Sequence, residues 1–382
     1  MENKFIPVCE PLLIGNEKKY LLDALESGWI SSSGQYISAF EKAFADYCGV
    51  KHGIAVVNGT TALHLALVAL GIKNGDEVII PNFTMISSAF AVCYTGAMPI
   101  FVDADSLTWN IDIKKIEEKI SSKTKVIMPV HIYGQPCEMH SIQEIANKYN
   151  LKILEDAAEV HGAEYLGKKC GSLSNISAFS FFANKIATTG EGGMVLTNDD
   201  ELAEKCRYYK NLCFPLNGTR NYKHDHIGFN YRMSNLHAAI GLAQVEKLDE
   251  YVVHRMQNNK LYRNYLSDLP GITFQEEFDH IKNVYWMNGI LIDEKKFGIS
   301  RDVLMYKLKE TGIDSRKFFT GMHRQKALKS FGCDCTGSYP VSEKLERDGL
   351  YLPSGSGLSE SEIQMICNSI FKIHQNLKKD KF

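Results

Sequence analysis

The sequence predicts an α/β protein with a mostly parallel central sheet flanked by helices, followed by a smaller C-terminal α/β domain. Three observations point there. Between about residues 50 and 200, short apolar runs alternate with helical patterns; several of those runs end in a small or polar residue; and a long helical stretch then precedes a tail of mixed pattern. The candidate strands are, in order, GIAVV (53–57), EVIIP (77–81), PIFVD (99–103), KVIMPV (125–130), KILED (152–156), SAFSF (177–181) and GMVLT (193–197). Near-continuous apolar runs of this length suit strands covered on both faces. Polar residues stand at or just past several ends, at Asn58, Asp103, His131 and Asp156. Ligands of open α/β sheets bind beyond the carboxyl ends of their strands. Apolar residues at three-to-four spacing over 234–265 predict one long helix leading from a large domain, residues 1–245, to a small one, residues 246–382. The first 25 or so residues are expected to pack on the small domain.

Composition narrows the function. The chain has 382 residues, 45% hydrophobic and 23% charged, with a net charge of -2. These are ordinary globular values, and interspersed charges give no electrostatic footprint for nucleic acid. No run approaches the ~20 apolar residues of a spanning helix, so no membrane role is expected. The N-terminus lacks the basic, apolar and small-residue regions of a secretory signal, and ten scattered cysteines suit reduced thiols in a cytoplasmic protein. Cys333-x-Cys335 alone is too little for zinc, and the His224-Asp225-His226 run beside 217–221 reads as solvated, so no metal site is expected.

Three segments carry chemistry together. In Val57-Asn58-Gly59-Thr60-Thr61 a strand enters a helix through small hydroxylated residues, whose free N–H groups suit a phosphate; alone, it reads more simply as a capped helix. In Leu154-Glu155-Asp156-Ala157-Ala158-Glu159 an apolar strand delivers carboxylates to its tip. Asp156 there is suited to a pyridinium nitrogen, or more plainly to a helix cap. In Phe181-Phe182-Ala183-Asn184-Lys185, followed by Thr189-Gly190-Glu191-Gly192-Gly193, a lysine sits between aromatic residues and glycines. An apolar pocket would lower its pKa and leave the neutral amine that imine chemistry needs. A phosphate cup, a carboxylate and a lysine are the three things pyridoxal phosphate (PLP) requires. Other segments read otherwise. Gly162 to Lys168 fits G-x-x-x-x-G-K, but Lys169 follows where a P-loop needs Ser or Thr, so a turn between two short extended segments near the active-site rim is expected. His161 either faces the site or makes a structural hydrogen bond.

At these residues, and at Gly228-Phe229-Asn230-Tyr231-Arg232-Met233, the sequence resembles the DegT/DnrJ/EryC1/StrS family of PLP-dependent nucleotide-sugar aminotransferases. The resemblance runs from Gly28-Trp29-Ile30-Ser31 to Leu352-Pro353. It implies the aminotransferase fold of type I and a homodimer with active sites at the subunit interface. It further implies Lys185 as the Schiff-base lysine and Asp156 as partner of the pyridine nitrogen, both catalytic. Gly59, Thr60 and Ser180 match phosphate-binding positions, and Asn230 matches an asparagine reaching the phosphate from the neighbouring subunit. His323 falls where many relatives have a substrate-side histidine, and Arg232 is expected to meet a phosphate or pair with a carboxylate. Two positions depart from the pattern: Glu159 replaces the usual Gln at the cofactor's ring hydroxyl, and Met85 replaces a stacked aromatic ring, where a thioether can still pack on a π face. The implied reaction is amination at C4 of GDP-4-keto-6-deoxy-D-mannose, with glutamate as donor, 2-oxoglutarate as co-product and pyridoxamine phosphate during turnover. The implied setting is bacterial surface-polysaccharide biosynthesis. A UDP- or dTDP-linked keto sugar is the alternative substrate, and a PLP-dependent sugar dehydratase the alternative reaction. Dehydratase relatives typically carry His in place of the lysine, and Lys185 speaks against that.

Overall fold

The computed structural model describes residues 5–216 and 222–379. The N-terminal part carries α1 (Glu17–Glu26), α2 (Gln35–Cys48), β1 (His52–Val56), α3 (Gly59–Ala69), β2 (Glu77–Pro81), α4 (Ile86–Tyr94), β3 (Met98–Val102), β4 (Thr124–Ile127), α5 (Met139–Lys148) and β5 (Lys152–Asp156). A short hairpin, β6 (Glu164–Tyr165) and β7 (Lys168–Lys169), comes next. It is followed by β8 (Ile176–Ser180), β9 (Gly193–Thr197) and α6 (Asp200–Lys210). Seven strands form one sheet in the order β1-β9-β8-β5-β4-β2-β3, and only β9 runs against the others. The seven apolar runs of the sequence are these strands, with ends that differ by up to three residues.

Alternation explains why the runs look continuous. Ile54, Val56, Val78, Ile80, Val126, Leu154 and Val195 enter one core. Their neighbours Ala55, Ile79, Ile127, Ile153 and Leu196 enter another, on the opposite face of the sheet. Successive side chains point to opposite faces, and both faces are covered by helices, so neighbouring positions of a strand are apolar on both sides. A third core joins Ile6 to Tyr262, Leu266, Ile290, Leu350, Leu352, Ile363 and Ile370. It belongs to a second sheet of order β10-β12-β14-β13, made of β10 (Ile272–Phe274), β12 (Asn288–Ile292), β13 (Arg316–Lys317) and β14 (Gly349–Leu352). Between β10 and β12, the strand β11 (Ile281–Lys282) pairs with β6. Around these strands lie α9 (Glu294–Phe297), α10 (Arg301–Glu310), α11 (Lys326–Phe331), α12 (Pro340–Asp348) and α13 (Glu360–Lys379).

The single long helix expected over 234–265 is instead two. α7 (Asn235–Glu246), capped by Ser234, stops at Lys247, whose φ of -113° and ψ of 3° leave the helical range, and α8 (Leu248–Leu266) starts at the next residue. The break lets Leu248 and Tyr251 stay in the large core while Tyr262 and Leu266 reach the third. An apolar three-to-four pattern survives such a one-residue turn, which is why the sequence did not reveal it. At the N-terminus, Ile6 exchanges backbone bonds with Gly312 and Asp314 at 2.8 and 2.9 Å, whereas α1 packs on α7. Among the described residues no helix is long and apolar enough to cross a membrane.

Candidate active site

The carboxyl ends of β1, β5 and β8 open onto one cavity of about 400 Å3. At its first corner, α3 begins. The Asn58 side chain accepts from the Thr61 N–H at 2.9 Å, and the Thr61 hydroxyl lies 3.3 Å from the Asn58 N–H, a reciprocal cap. The cap leaves the N–H groups of Gly59 and Thr60 without partners among the described residues, as expected in a first helical turn. A Cβ on Gly59 would lie 2.7 Å from the Ser180 Cβ, so only glycine lets the helix start approach the tip of β8 this closely. The Thr60 hydroxyl donates to the Ser87 hydroxyl at 2.9 Å, and Ser180 borders the same space. Two free N–H groups at a positive helix end, with three hydroxyls around them, make a cup for a phosphate.

The second corner is acidic. Asp156 ends β5 almost fully buried; one carboxylate oxygen accepts from the Ser88 hydroxyl at 2.7 Å and the other from the Ala158 N–H at 3.3 Å. Burial raises its pKa, while the Ser88 bond, the Ala158 N–H and the Lys185 charge act in the opposite direction. Glu159, equally buried, accepts from the Tyr133 N–H at 2.7 Å; Tyr133 holds a left-handed φ of 57° at that point. Burial pushes Glu159 up to about 7, against the pull of Lys185.

Lys185 closes the third corner. It follows β8 in a turn fixed by its own N–H to the Phe182 carbonyl, 2.9 Å, and by the Thr189 N–H to the Phe181 carbonyl, 2.9 Å. Its Nζ lies 3.6 Å from the centroid of the Trp286 ring. Burial lowers its pKa; Glu159 and Asp156 oppose that. Beside it the Asn184 Oδ1 is buried without a partner, in the cavity wall. Met85, the residue before α4, lines the mouth with its thioether accepting from the Ser87 N–H at 3.1 Å.

Gly59, Thr60, Met85, Asp156, Glu159, Ser180 and Lys185 therefore meet in one cavity. Asn230, Arg232, His323 and His161, also singled out from the sequence, lie elsewhere. Arg232 donates to Asn230 at 2.6 Å and to Asn211 at 2.7 Å, on a segment that borders β1 outside the cavity. His323 contacts Asn82 at 2.9 Å and Glu343 at 3.3 Å and does not line the cavity, although Phe319 does. His161 does not line the cavity: it packs among Phe44, Phe179 and Phe181, and burial pushes it down to about 3. The Gly162–Lys168 stretch is the β6–β7 hairpin, and none of it reaches the cavity rim. His224 and His226 bind a backbone carbonyl and the Tyr208 hydroxyl. The loop 217–221 lies outside the described residues, among which no metal-holding cluster occurs. Sequence reasoning missed Ser87, Ser88, Asn184, Trp286 and Tyr351. Only the serines carried a signal, as a hydroxyl pair directly after Met85-Ile86; Trp286 and Tyr351 arrive from the distant C-terminal half.

Pyridoxal phosphate fits this donor set: an anion cup, a buried carboxylate for a protonated ring nitrogen, an unpartnered amide oxygen and an amine of lowered pKa, all around one space. Cavity and sheet order define a PLP-dependent transferase. The profile of the DegT/DnrJ/EryC1/StrS aminotransferase family matches residues 12–371, and the chain belongs to that family. It is 46% identical over 369 residues to a GDP-perosamine synthase of Caulobacter vibrioides, covering 96% of this chain and 98% of the relative. With a GDP-perosamine synthase of Escherichia coli O157:H7 the identity is 43% over 373 residues, covering 98% and 100%. The crystal structure of DesV from S. venezuelae superposes with a TM-score of 0.90 at 31% identity, covering 97% of this chain and 99% of that one.

Proposed function

We propose that this protein transfers the amino group of glutamate to C4 of GDP-4-keto-6-deoxy-D-mannose, giving GDP-perosamine and 2-oxoglutarate. The observation that carries the reading is that Lys185 and Asp156 line one cavity beside the α3 cup. Full-length similarity to two GDP-perosamine synthases supports the choice of sugar.

When bound, PLP supplies an aldehyde that condenses with amines and a protonated ring that withdraws electrons from the carbon being deprotonated. The N–H groups of Gly59 and Thr60, with the hydroxyls of Thr60, Ser87 and Ser180, would hold its phosphate. Asp156, oriented by Ser88 and Ala158, would keep a proton on the ring nitrogen. Lys185 would carry the coenzyme through Nζ, and its freed amine would take one proton from Cα of the donor and, in the second half of the reaction, give one proton to C4 of the sugar. Burial lowers its pKa, which eases the exchange between ammonium and neutral amine that taking and then returning a proton requires. Phe182, Trp286 and Phe319 wall the space and exclude water. The protein works as a cytoplasmic homodimer in surface-polysaccharide synthesis, and Asn230 and Arg232 serve the neighbouring subunit's cavity.

The test is a panel of GDP-, UDP- and dTDP-linked 4-keto sugars offered with glutamate and purified protein. An amino sugar from the GDP substrate, with one 2-oxoglutarate per turnover, is expected. A product only from UDP or dTDP sugars would move the specificity, and a deoxy sugar formed without loss of glutamate would replace the reaction by dehydration.

A further inference from the structure

Outside the carboxylates and the phosphate cup, the cavity holds one contact that the mechanism above does not use. The Lys185 Nζ rests 3.6 Å from the centroid of the Trp286 ring, within the range of a cation–π interaction. It makes no hydrogen bond, and no carboxylate comes within 4.0 Å of it among the described residues, so the π face is its direct neighbour. The titratable groups close enough to act on the amine are Glu159, Asp156 and Cys9, and His161 feels its charge in turn. Trp286 is not free to drift. Its Nε1–H donates to the Asn184 carbonyl at 2.8 Å, tying the indole to the residue before the lysine, and its own carbonyl accepts from Arg255 at 2.6 Å. Ring and amine are thus held in register, although they lie 101 residues apart in the chain. This follows from Asn184, Lys185 and Trp286 in the sequence.

We propose that Trp286 is a positioning residue for Lys185: its indole face receives the ammonium whenever the amine is not bonded to the coenzyme, and keeps it beside the reacting carbon. The proposal rests on the coenzyme reading above. A long lysine side chain freed in a cavity lined by Asp156, Glu159 and Glu191 would otherwise swing toward a carboxylate, since unlike charges attract strongly where water is scarce. The π face offers a nearer and weaker hold, which the amine leaves again for each proton transfer. Replacing the ring by an aliphatic side chain should slow the half-reaction with glutamate by about ten- to thirty-fold, the scale of a desolvated cation–π contact. Affinity for the coenzyme should stay nearly unchanged, because the phosphate cup and Asp156 are untouched.

The experiment uses full-length protein grown with 5-fluorotryptophan. Its three tryptophans give three fluorine resonances, and that of Trp286 is identified by its loss in W286F. In the coenzyme-free protein this resonance should follow a titration that is absent in K185M. In the holoenzyme, glutamate should move it toward its coenzyme-free position while the visible spectrum changes, and W286L should show the slowed half-reaction with W286F intermediate. If the visible spectrum changes but the Trp286 resonance neither moves nor differs between native protein and K185M, the positioning role is wrong and the coenzyme reading stands. If glutamate leaves the visible spectrum unchanged, both fall. Equal slowing in W286F and W286L would assign the effect to the lost Asn184 bond and overturn the role of the π face.

Discussion

At the scale of single residues, the site sets three ionisable groups against one low-dielectric space, and Glu159 is the one whose charge is least settled. Its folded pKa of about 7 lies above the ordinary carboxylate range because burial penalises the anion. A carboxyl raised on folding contributes stability below its unfolded pKa, and that contribution is lost as pH rises through the folded value. Glu159→Gln keeps an oxygen for the Tyr133 N–H and removes the charge. In coenzyme-free protein it should be more stable than native at pH 8, by on the order of 2 kcal/mol, with no gain below pH ~4.5. Urea midpoints at the two pH values check this; a constant difference would mean Glu159 does not titrate there. Lys185 and Asp156 were legible from the sequence because each ends or closely follows an apolar strand, where a charge has no structural reason to be. Trp286 and Tyr351 were not, because an aromatic residue in a mixed C-terminal pattern looks like core until the chain folds back.

At the scale of elements, the start of α3 does the most with the least sequence. Asn58 and Thr61 cap one another, Gly59 allows the approach to Ser180, and two N–H groups remain for a ligand. Gly59→Ala places a Cβ 2.7 Å from the Ser180 Cβ, so helix and strand must part. The variant should lose about 1–3 kcal/mol of stability by overpacking and bind PLP at least about ten-fold more weakly, a change of ~1.4 kcal/mol, as measured by coenzyme titration. Unchanged affinity would place the phosphate elsewhere. The seven strands could be read in advance since both faces of the sheet are covered and each run is mostly apolar. The division of 234–265 into α7 and α8 could not, because one residue outside the helical range at Lys247 leaves the apolar spacing intact.

At the scale of the whole molecule, the cavity is walled by both halves of the chain, with Trp286, Phe319 and Tyr351 supplied by the C-terminal part. Its described lining has three carboxylates, Asp156, Glu159 and Glu191, and one amine, a poor environment for a nucleotide diphosphate unless cations come from outside. Arg232, held by Asn230 and Asn211 away from its own cavity, supplies that charge to the neighbouring subunit if the active unit is a symmetric dimer. Mixed dimers of K185A and N230A then test the sharing. Each parent should be impaired, and random re-association should restore about a quarter of native sites, because one site of each heterodimer carries neither substitution. No recovery from two impaired parents would show that each cavity is complete within one chain. The sequence could not place these residues relative to a second subunit, since nothing local distinguishes a side chain serving its own cavity from one serving a neighbour's.

The covalent seat of the coenzyme is the point on which the rest depends, and reduction of the holoenzyme with borohydride tests it most directly. Peptide mass spectrometry should then find the coenzyme's mass on Lys185 alone, and K185A should retain none after reduction. Label on another lysine, or a K185A protein that still carries reduced coenzyme and turns over, would contradict it.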